Sequence, residues 1–287
     1  MLLNPIGSKV IFRIRRFVGN LEHMITRWRR ALWSRDLVSS NRLKSEYFYA
    51  ELEKECRDLT NTRLSRLTLS EKVSHEREEW FFELAKATQI VPKKDLTCYT
   101  HGFILYDVVT QYLRAGNRSN VTILEIGTAR GFSALAMARS MADQGASGKI
   151  LTVDLLPHRT NLLWNTHQDV TRGARSREIL LEPWHDLLDS YVIFVEANSR
   201  SFIESVSISR INVAFLDGSH TYRDIHAEVS QVAPRQVEGD LIVFDDVSQT
   251  KYPELALGIE TAAKIFGYQL TYLEINENRG VGIAVKA

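Results

Sequence analysis

The residues from Val121 to Ser133, V-T-I-L-E-I-G-T-A-R-G-F-S, end an apolar strand in an acid and two glycines and then open directly into a helix. That arrangement builds a pocket for a small ligand. Gly127 and Gly131 lack Cβ, so the turn lets backbone approach a ligand closely. The first amides of the following helix, expected from about Phe132 to Ala142, would face an anionic group such as a carboxylate or phosphate. Glu125 sets the chemistry apart. A phosphate loop seldom carries a carboxylate two residues before its first glycine, whereas a ligand bearing an amine or a sulfonium charge can use one. Thr128 and Ser133 border the same turn and complete the candidate binding set there.

Other polar residues also fall where an apolar run finishes. Asp154 closes the second run, Asn198 and Ser199 follow the third, Asp217-Gly218-Ser219-His220 the fourth, and Asp245-Asp246 the fifth. Asp154 stands at the distance from the glycine turn where an acid can take both hydroxyls of a ribose, with turn capping as the plainer alternative. Asn198 and Ser199 are placed to hydrogen-bond an adenine edge or, equally, to cap a helix.

The elements that must position these residues read as alternating strands and helices. Strands are expected at 121–127, 149–155, 191–197, 212–217, 240–245, 268–275 and 281–285, with helical stretches between the first six. Alternation of this kind implies parallel strands joined by right-handed crossovers, with helices on both faces. Only residues 276–280 separate the last two strands, too few for a crossover helix, so those two form an antiparallel hairpin. The fold class is α/β: a doubly wound, seven-stranded, mostly parallel sheet whose last strand is antiparallel. Ligands of such sheets bind beyond the carboxyl ends of the strands, where strand order switches.

The pattern resembles the class I S-adenosylmethionine-dependent methyltransferases. I-L-E-I-G-T-A-R-G matches their first motif, L-T-V-D their second, and the reversed final strand their topology, over about Thr100 to Ala287. The resemblance implies a Rossmann-like methyltransferase fold. It also implies that Glu125, Gly127, Thr128, Gly131 and Ser133 receive the methionine part of the cofactor, Asp154 the ribose, and Asn198 with Ser199 the adenine. A dinucleotide dehydrogenase fits less well, because the glycines here are spaced G-x-x-x-G and not G-x-G-x-x-G.

Within that superfamily the chain is most similar to metal-dependent O-methyltransferases of the catechol type and of bacterial sugar and antibiotic tailoring. The likeness implies a magnesium ion held by Asp217, Asp245 and Asp246, whose hard oxygens suit that ion. Neighbouring residues of a regular strand point to opposite faces, so Asp245 and Asp246 can share an ion only if the chain leaves the strand there. The alternative has Asp246 capping a turn. His220 is the expected general base, since an imidazole accepts protons near neutral pH. The catechol-type relatives carry a lysine at this place, and Asp217 is the other candidate. Tyr99 and His101 are weaker candidates for the cofactor entrance, and Arg223 for an anionic substrate group. The long connection after the second strand, with Trp164 and Trp184, is a candidate for substrate contacts or simply for packing.

The implied reaction is transfer of the sulfonium methyl to a hydroxyl of a sugar, glycoside or secondary metabolite. Two alternatives stand beside it: a metal-independent small-molecule methyltransferase, and a non-catalytic cofactor-binding scaffold. The sequence divides into an N-terminal helical region over 1–95 and a cofactor-binding domain over 96–287. Residues 9–35 carry eight arginines and lysines against Glu22 alone, with apolar residues at helical spacing. Such a basic amphipathic arm fits an anionic membrane surface, its own domain or a second subunit of a homo-oligomer. Over the whole chain charge is balanced, 36 lysines and arginines against 35 acids, which argues against a nucleic-acid partner. Two cysteines, no apolar run of membrane-spanning length and no signal-peptide core make a cytoplasmic location the expectation, peripheral at the inner face if the arm binds lipid.

Overall fold

The structure, a computed structural model, describes residues 43–93, 97–116, 118–218, 221–276 and 279–287. The basic arm expected over residues 9–35 and His220 lie outside the described residues. In chain order the elements are α1 (Glu46–Leu64), α2 (His75–Thr88), α3 (Thr100–Ala115), β1 (Asn120–Ile126), α4 (Phe132–Asp143), β2 (Ser147–Asp154), α5 (Gln168–Arg172) and α6 (Arg177–Leu180). There follow α7 (His185–Tyr191), β3 (Val192–Glu196), α8 (Ser199–Ser205), β4 (Val213–Leu216), α9 (Tyr222–Val232), β5 (Leu241–Val247), α10 (Pro253–Phe266), β6 (Tyr268–Asn276) and β7 (Arg279–Lys286).

The seven strands form one sheet in the order β3-β2-β1-β4-β5-β7-β6. All pairs from β3 through β5 are parallel; β7 runs antiparallel to both β5 and β6 and lies between them. The reversed strand expected at the end of the chain is therefore present, and it is inserted inside the sheet instead of closing its edge. Strand order switches between β1 and β4, which opens the crevice where ligands of doubly wound sheets bind. Two registers matter for the site: Glu125 pairs with Thr152, and Asp154 with Glu196.

Helices cover both faces because the strands are apolar on both. Leu124, Ile126, Ala214, Leu216, Ile242 and Phe244 pack under α9 and α10, while Ile123, Val213, Phe215 and Val243 pack under α3 and α4. Helix α3 sits so deep that almost every side chain from Thr100 to Leu113 is buried. Over it, α2 adds an aromatic cluster: the Phe81 ring lies 4.1 Å from that of Phe103 and 6.3 Å from that of Phe132.

The charged stretch expected as helical from Asn41 to Ala87 is two helices with a break between. Ser45 and Ser74 cap their N-termini by accepting from Phe48 N and Arg77 N. In the break, Ser70 donates its amide to Asp107 Oδ1 at 3.0 Å and so docks on α3. The long connection after β2 is likewise structured, by the short helices α5, α6 and α7 and a bridge between Leu162 and Arg175. Trp164 within it is fully buried and donates to Arg175 O at 2.8 Å, so packing accounts for this tryptophan.

Candidate active site

The β1 turn is held by contacts that its sequence anticipates. Gly127 has φ +99°, and a Cβ there would lie 2.2 Å from the carbonyl oxygen of Asp217, so only glycine lets β1 and β4 end this close together. Gly131, at φ +93°, caps α4, and a Cβ there would meet Leu181 at 2.7 Å. Between them Thr128 O accepts from Gly131 N at 2.8 Å. The turn thus aims the α4 N-terminus across the switch point.

Glu125 is fully buried beneath this turn and accepts hydrogen bonds from the hydroxyls of Ser133 and Thr152. Burial pushes its carboxyl up to about 7, against the lowering effect of those two hydroxyls. Thr152, the register partner of Glu125, was not anticipated from the sequence; it also hydrogen-bonds Thr128. Asp154 accepts Ala129 N at 2.6 Å and Leu156 N at 2.8 Å, which fixes its carboxylate at the mouth of the glycine turn. Asn198 accepts Arg200 N at 3.1 Å as the N-cap of α8, and Ser199 donates to Glu228 at 2.9 Å. Glu125, Thr128, Ser133 and Asp154 therefore form one connected group, while Asn198 and Ser199 sit at the neighbouring β3 end.

A further residue outside the sequence reading supports the turn from below. Arg177, at the start of α6, is buried and donates to Ala129 O at 2.9 Å, with its guanidinium 5.7 Å from the ring centres of Trp164 and Phe194. His158 stacks on Phe194 with ring centres 4.2 Å apart. The connection after β2 thus folds back under the candidate cofactor turn.

On the other side of the switch point lie the acids of β4 and β5. Asp245 is buried and Asp246 half-buried. The chain does leave the regular strand here: Asp246 has φ +53°, in a bulge between Phe244 and Val247. Both carboxylates consequently reach one cation, and that cation is Arg279. Its Nη2 hydrogen-bonds Asp245 Oδ2, and its Nε lies 2.8 Å from Asp246 Oδ1. Burial works against the guanidinium charge, yet Asp245 and Asp246 more than offset it and keep Arg279 protonated. Burial would also raise Asp245, but Arg279 holds its carboxyl below the usual range. Asp217, one strand over, is pushed well up by burial and by the negative charges of Asp245 and Asp246.

Two more groups face this cluster. His101, on α3, is buried with its ring 4.9 Å from Phe132 and its Nδ1 unpartnered, within electrostatic reach of Asp245 and Arg279. Burial drives its imidazole down to about 3, so it is neutral. Lys93, just before the segment leading into α3, lies within electrostatic reach of Asp217 and Asp246. The helix after β4 begins at Tyr222 with Thr221 as its N-cap, slightly later than the helix start expected at His220.

Asp217, Asp245 and Asp246 carry the oxygen donors that magnesium prefers. As arranged, they do not fit an ion. Two of the three are paired with a guanidinium, and among the described residues no three histidine, cysteine, aspartate or glutamate side chains converge into a metal site. An added divalent ion would also meet the Arg279 charge, and a double and a single positive charge roughly 4 Å apart repel by about 8 kcal/mol even at an effective dielectric near 20.

With this geometry in view, the comparisons with known proteins are consistent. Residues 124–247 match the family model described as a methyltransferase domain. Residues 124–247 therefore carry a methyltransferase domain, on a seven-stranded sheet of the Rossmann-like methyltransferase fold. Among curated proteins it is similar to the rhamnosyl O-methyltransferase of Mycobacterium leprae, 26% identical over 140 residues, which are 46% of this chain and 51% of that protein. The chain thus matches about half the length of this relative. In fold it resembles the O-methyltransferase NovP, with TM-score 0.51 and 14% identity over 85% of this chain and all of that one. It also resembles TomG of Streptomyces achromogenes, an O-methyltransferase involved in tomaymycin synthesis and solved with S-adenosylmethionine. There the TM-score is 0.50 and the identity 13%, over 82% of this chain and 99% of that one.

Proposed function

We propose that this protein transfers the methyl group of S-adenosylmethionine to a hydroxyl oxygen of a saccharide, glycoside or secondary metabolite. The observation that carries this reading is the pairing of two half-sites across one switch point. Glu125, the glycine turn and Asp154 form the first; Asp217, Asp245 and Asp246 form the second. In this reading Glu125 takes the ammonium of the cofactor and Asp154 its ribose. Ser133 belongs to the methionine side, and Asn198 and Ser199 border the adenine.

The reaction is an in-line displacement. The acceptor oxygen forms a bond to the methyl carbon as the carbon–sulfur bond breaks, leaving S-adenosylhomocysteine, and the hydroxyl proton passes to a base. His220, three residues beyond Asp217 in the sequence, serves as that base, and Asp217 in its ionised form is the alternative. Most of the rate comes from holding donor carbon and acceptor oxygen in line. The name of the Mycobacterium leprae relative makes a rhamnosyl hydroxyl the first acceptor to try. Incubation with methyl-labelled S-adenosylmethionine and a panel of rhamnosides and catechols tests the reading: label in an alkali-stable ether on the sugar is expected, and no transfer to any hydroxyl acceptor would contradict it.

Residues 96–287 are assigned to the catalytic domain and 1–95 to the helical region before it. The basic stretch from Lys9 to Arg35 is read as an arm that packs on its own domain or on a second copy of the chain, with an anionic membrane face on the cytoplasmic side as the competing partner. Among the described residues no helix is long and apolar enough to cross a membrane. Flotation with phosphatidylglycerol liposomes, with and without residues 1–40, separates lipid binding from self-association.

A further inference from the structure

We propose that Arg279 is a cation built into the acceptor half-site, standing where a divalent ion would otherwise bridge the acids of β5, so that the site is charge-compensated by the chain itself. The topology explains how it gets there. Every parallel strand of the sheet starts at the edge remote from the crevice, so none can bring its first residue to the rim. The reversed strand β7 does the opposite: pairing Val247 with Gly280 sets its first residue, Arg279, beside the end of β5. The bulge at Asp245 and Asp246 then turns both carboxylates toward the same point, which their positions on a regular strand would prevent.

The contacts at that point are specific. One guanidinium nitrogen bonds Asp245, a second lies 2.8 Å from Asp246, and the Arg279 side chain is only 21% exposed. A planar guanidinium presents five donors in a fixed fork, so it can engage two carboxylates and still orient an acceptor oxygen, which a bound metal would do through open coordination positions. Asp245 Oδ1 remains buried and unpartnered, as does Nδ1 of His101 on α3. These are two polar atoms that an acceptor hydroxyl can satisfy. Arg279 is therefore a positioning residue for the acceptor, and the chemistry proceeds without a metal Lewis acid.

The catalytic consequence rests on the methyl-transfer reading; the charge substitution does not, and it is tested first without turnover. The full chain is titrated with Mn2+ and followed by electron paramagnetic resonance, beside Arg279→Met and Arg279→Lys variants. The wild type is expected to show no Mn2+ site below millimolar concentration. Arg279→Met is expected to gain one site per chain and to recover on Mn2+ the thermal stability it loses in EDTA, whereas Arg279→Lys gains none. A single micromolar site in the wild type that Asp245→Asn abolishes would overturn the proposal, and so would a folded Arg279→Met variant that binds no Mn2+. Because the wild-type titration is decisive by itself, the proposal stays testable if Arg279→Met fails to fold. S-adenosylhomocysteine calorimetry on the same preparation tests the methyl-transfer reading separately: no cofactor binding counts against that reading and leaves the Mn2+ result standing.

Discussion

Glu125 pays an energetic cost in the free protein that its proposed ligand would relieve. It is an acid without access to water, hydrogen-bonded only to neutral hydroxyls, and its carboxyl is raised from 4.5 to about 7. Below pH 4.5 both the folded and unfolded chains hold the proton, and Glu125 costs nothing. Between pH 4.5 and 7 the folded chain retains a proton that the unfolded chain has lost, so stability falls as pH rises. Above pH 7 the full penalty is present, about 3 kcal/mol for a shift of this size. Glu125→Gln, which cannot ionise, is expected to remove that slope. Thermal denaturation between pH 5 and 8 should show the wild type losing several degrees relative to the variant, with the gap widening toward pH 8. A constant gap would mean that Glu125 is not the buried acid responsible. An ammonium brought against the carboxylate supplies the missing counter-charge, which is why a residue unfavourable to the empty fold suits a cofactor with an amine.

At the scale of elements, the connection between β2 and β3 acts as a foundation for the glycine turn after β1. One of its two buried guanidiniums, Arg177, holds Ala129 O, the carbonyl in the middle of the turn, and lies against Trp164 and Phe194. Arg177→Met keeps much of the apolar contact and removes the charged donor. Loss of a charge-assisted hydrogen bond of this kind is expected to cost about 1.5–3 kcal/mol in stability and to loosen the turn. Urea denaturation read by circular dichroism measures the first, and S-adenosylhomocysteine affinity the second. Unchanged affinity in the folded variant would make the connection a packing element only.

The strands and the reversal of β7 were legible in the sequence. Parallel strands covered on both faces need near-continuous apolar runs, and the five residues 276–280 leave no room for a crossover. The glycine turn was legible because Gly127 and Gly131 bracket the five residues between the apolar strand and the helix that follows. Two groups of the site were not. Arg279 reads as part of a hairpin turn until the sheet order is known; only the insertion of β7 beside β5 brings it to acids 34 and 33 positions earlier. His101 reads only as a weaker candidate for the cofactor entrance, and its relation to Asp245 emerges from how deeply α3 is buried. Thr152 lies between these cases, since the parallel register of β1 and β2 places it beside Glu125.

For the whole molecule, the essential relation is between the two half-sites. The switch between β1 and β4 brings the buried carboxylate of Glu125, proposed to take an amine, close to the acids Asp217, Asp245 and Asp246 and to Arg279. The relation makes cofactor binding the first requirement, ahead of any acceptor. It is tested most directly by calorimetric titration of S-adenosylhomocysteine into the full chain at pH 8, where Glu125 is ionised, beside Glu125→Gln. Binding of one ligand per chain, weakened about tenfold or more in the variant and unaffected by EDTA, is the expected result, a tenfold loss corresponding to about 1.4 kcal/mol. Absence of binding, or equal affinity in both proteins, would contradict the assignment of the β1 turn and its buried acid as the cofactor site.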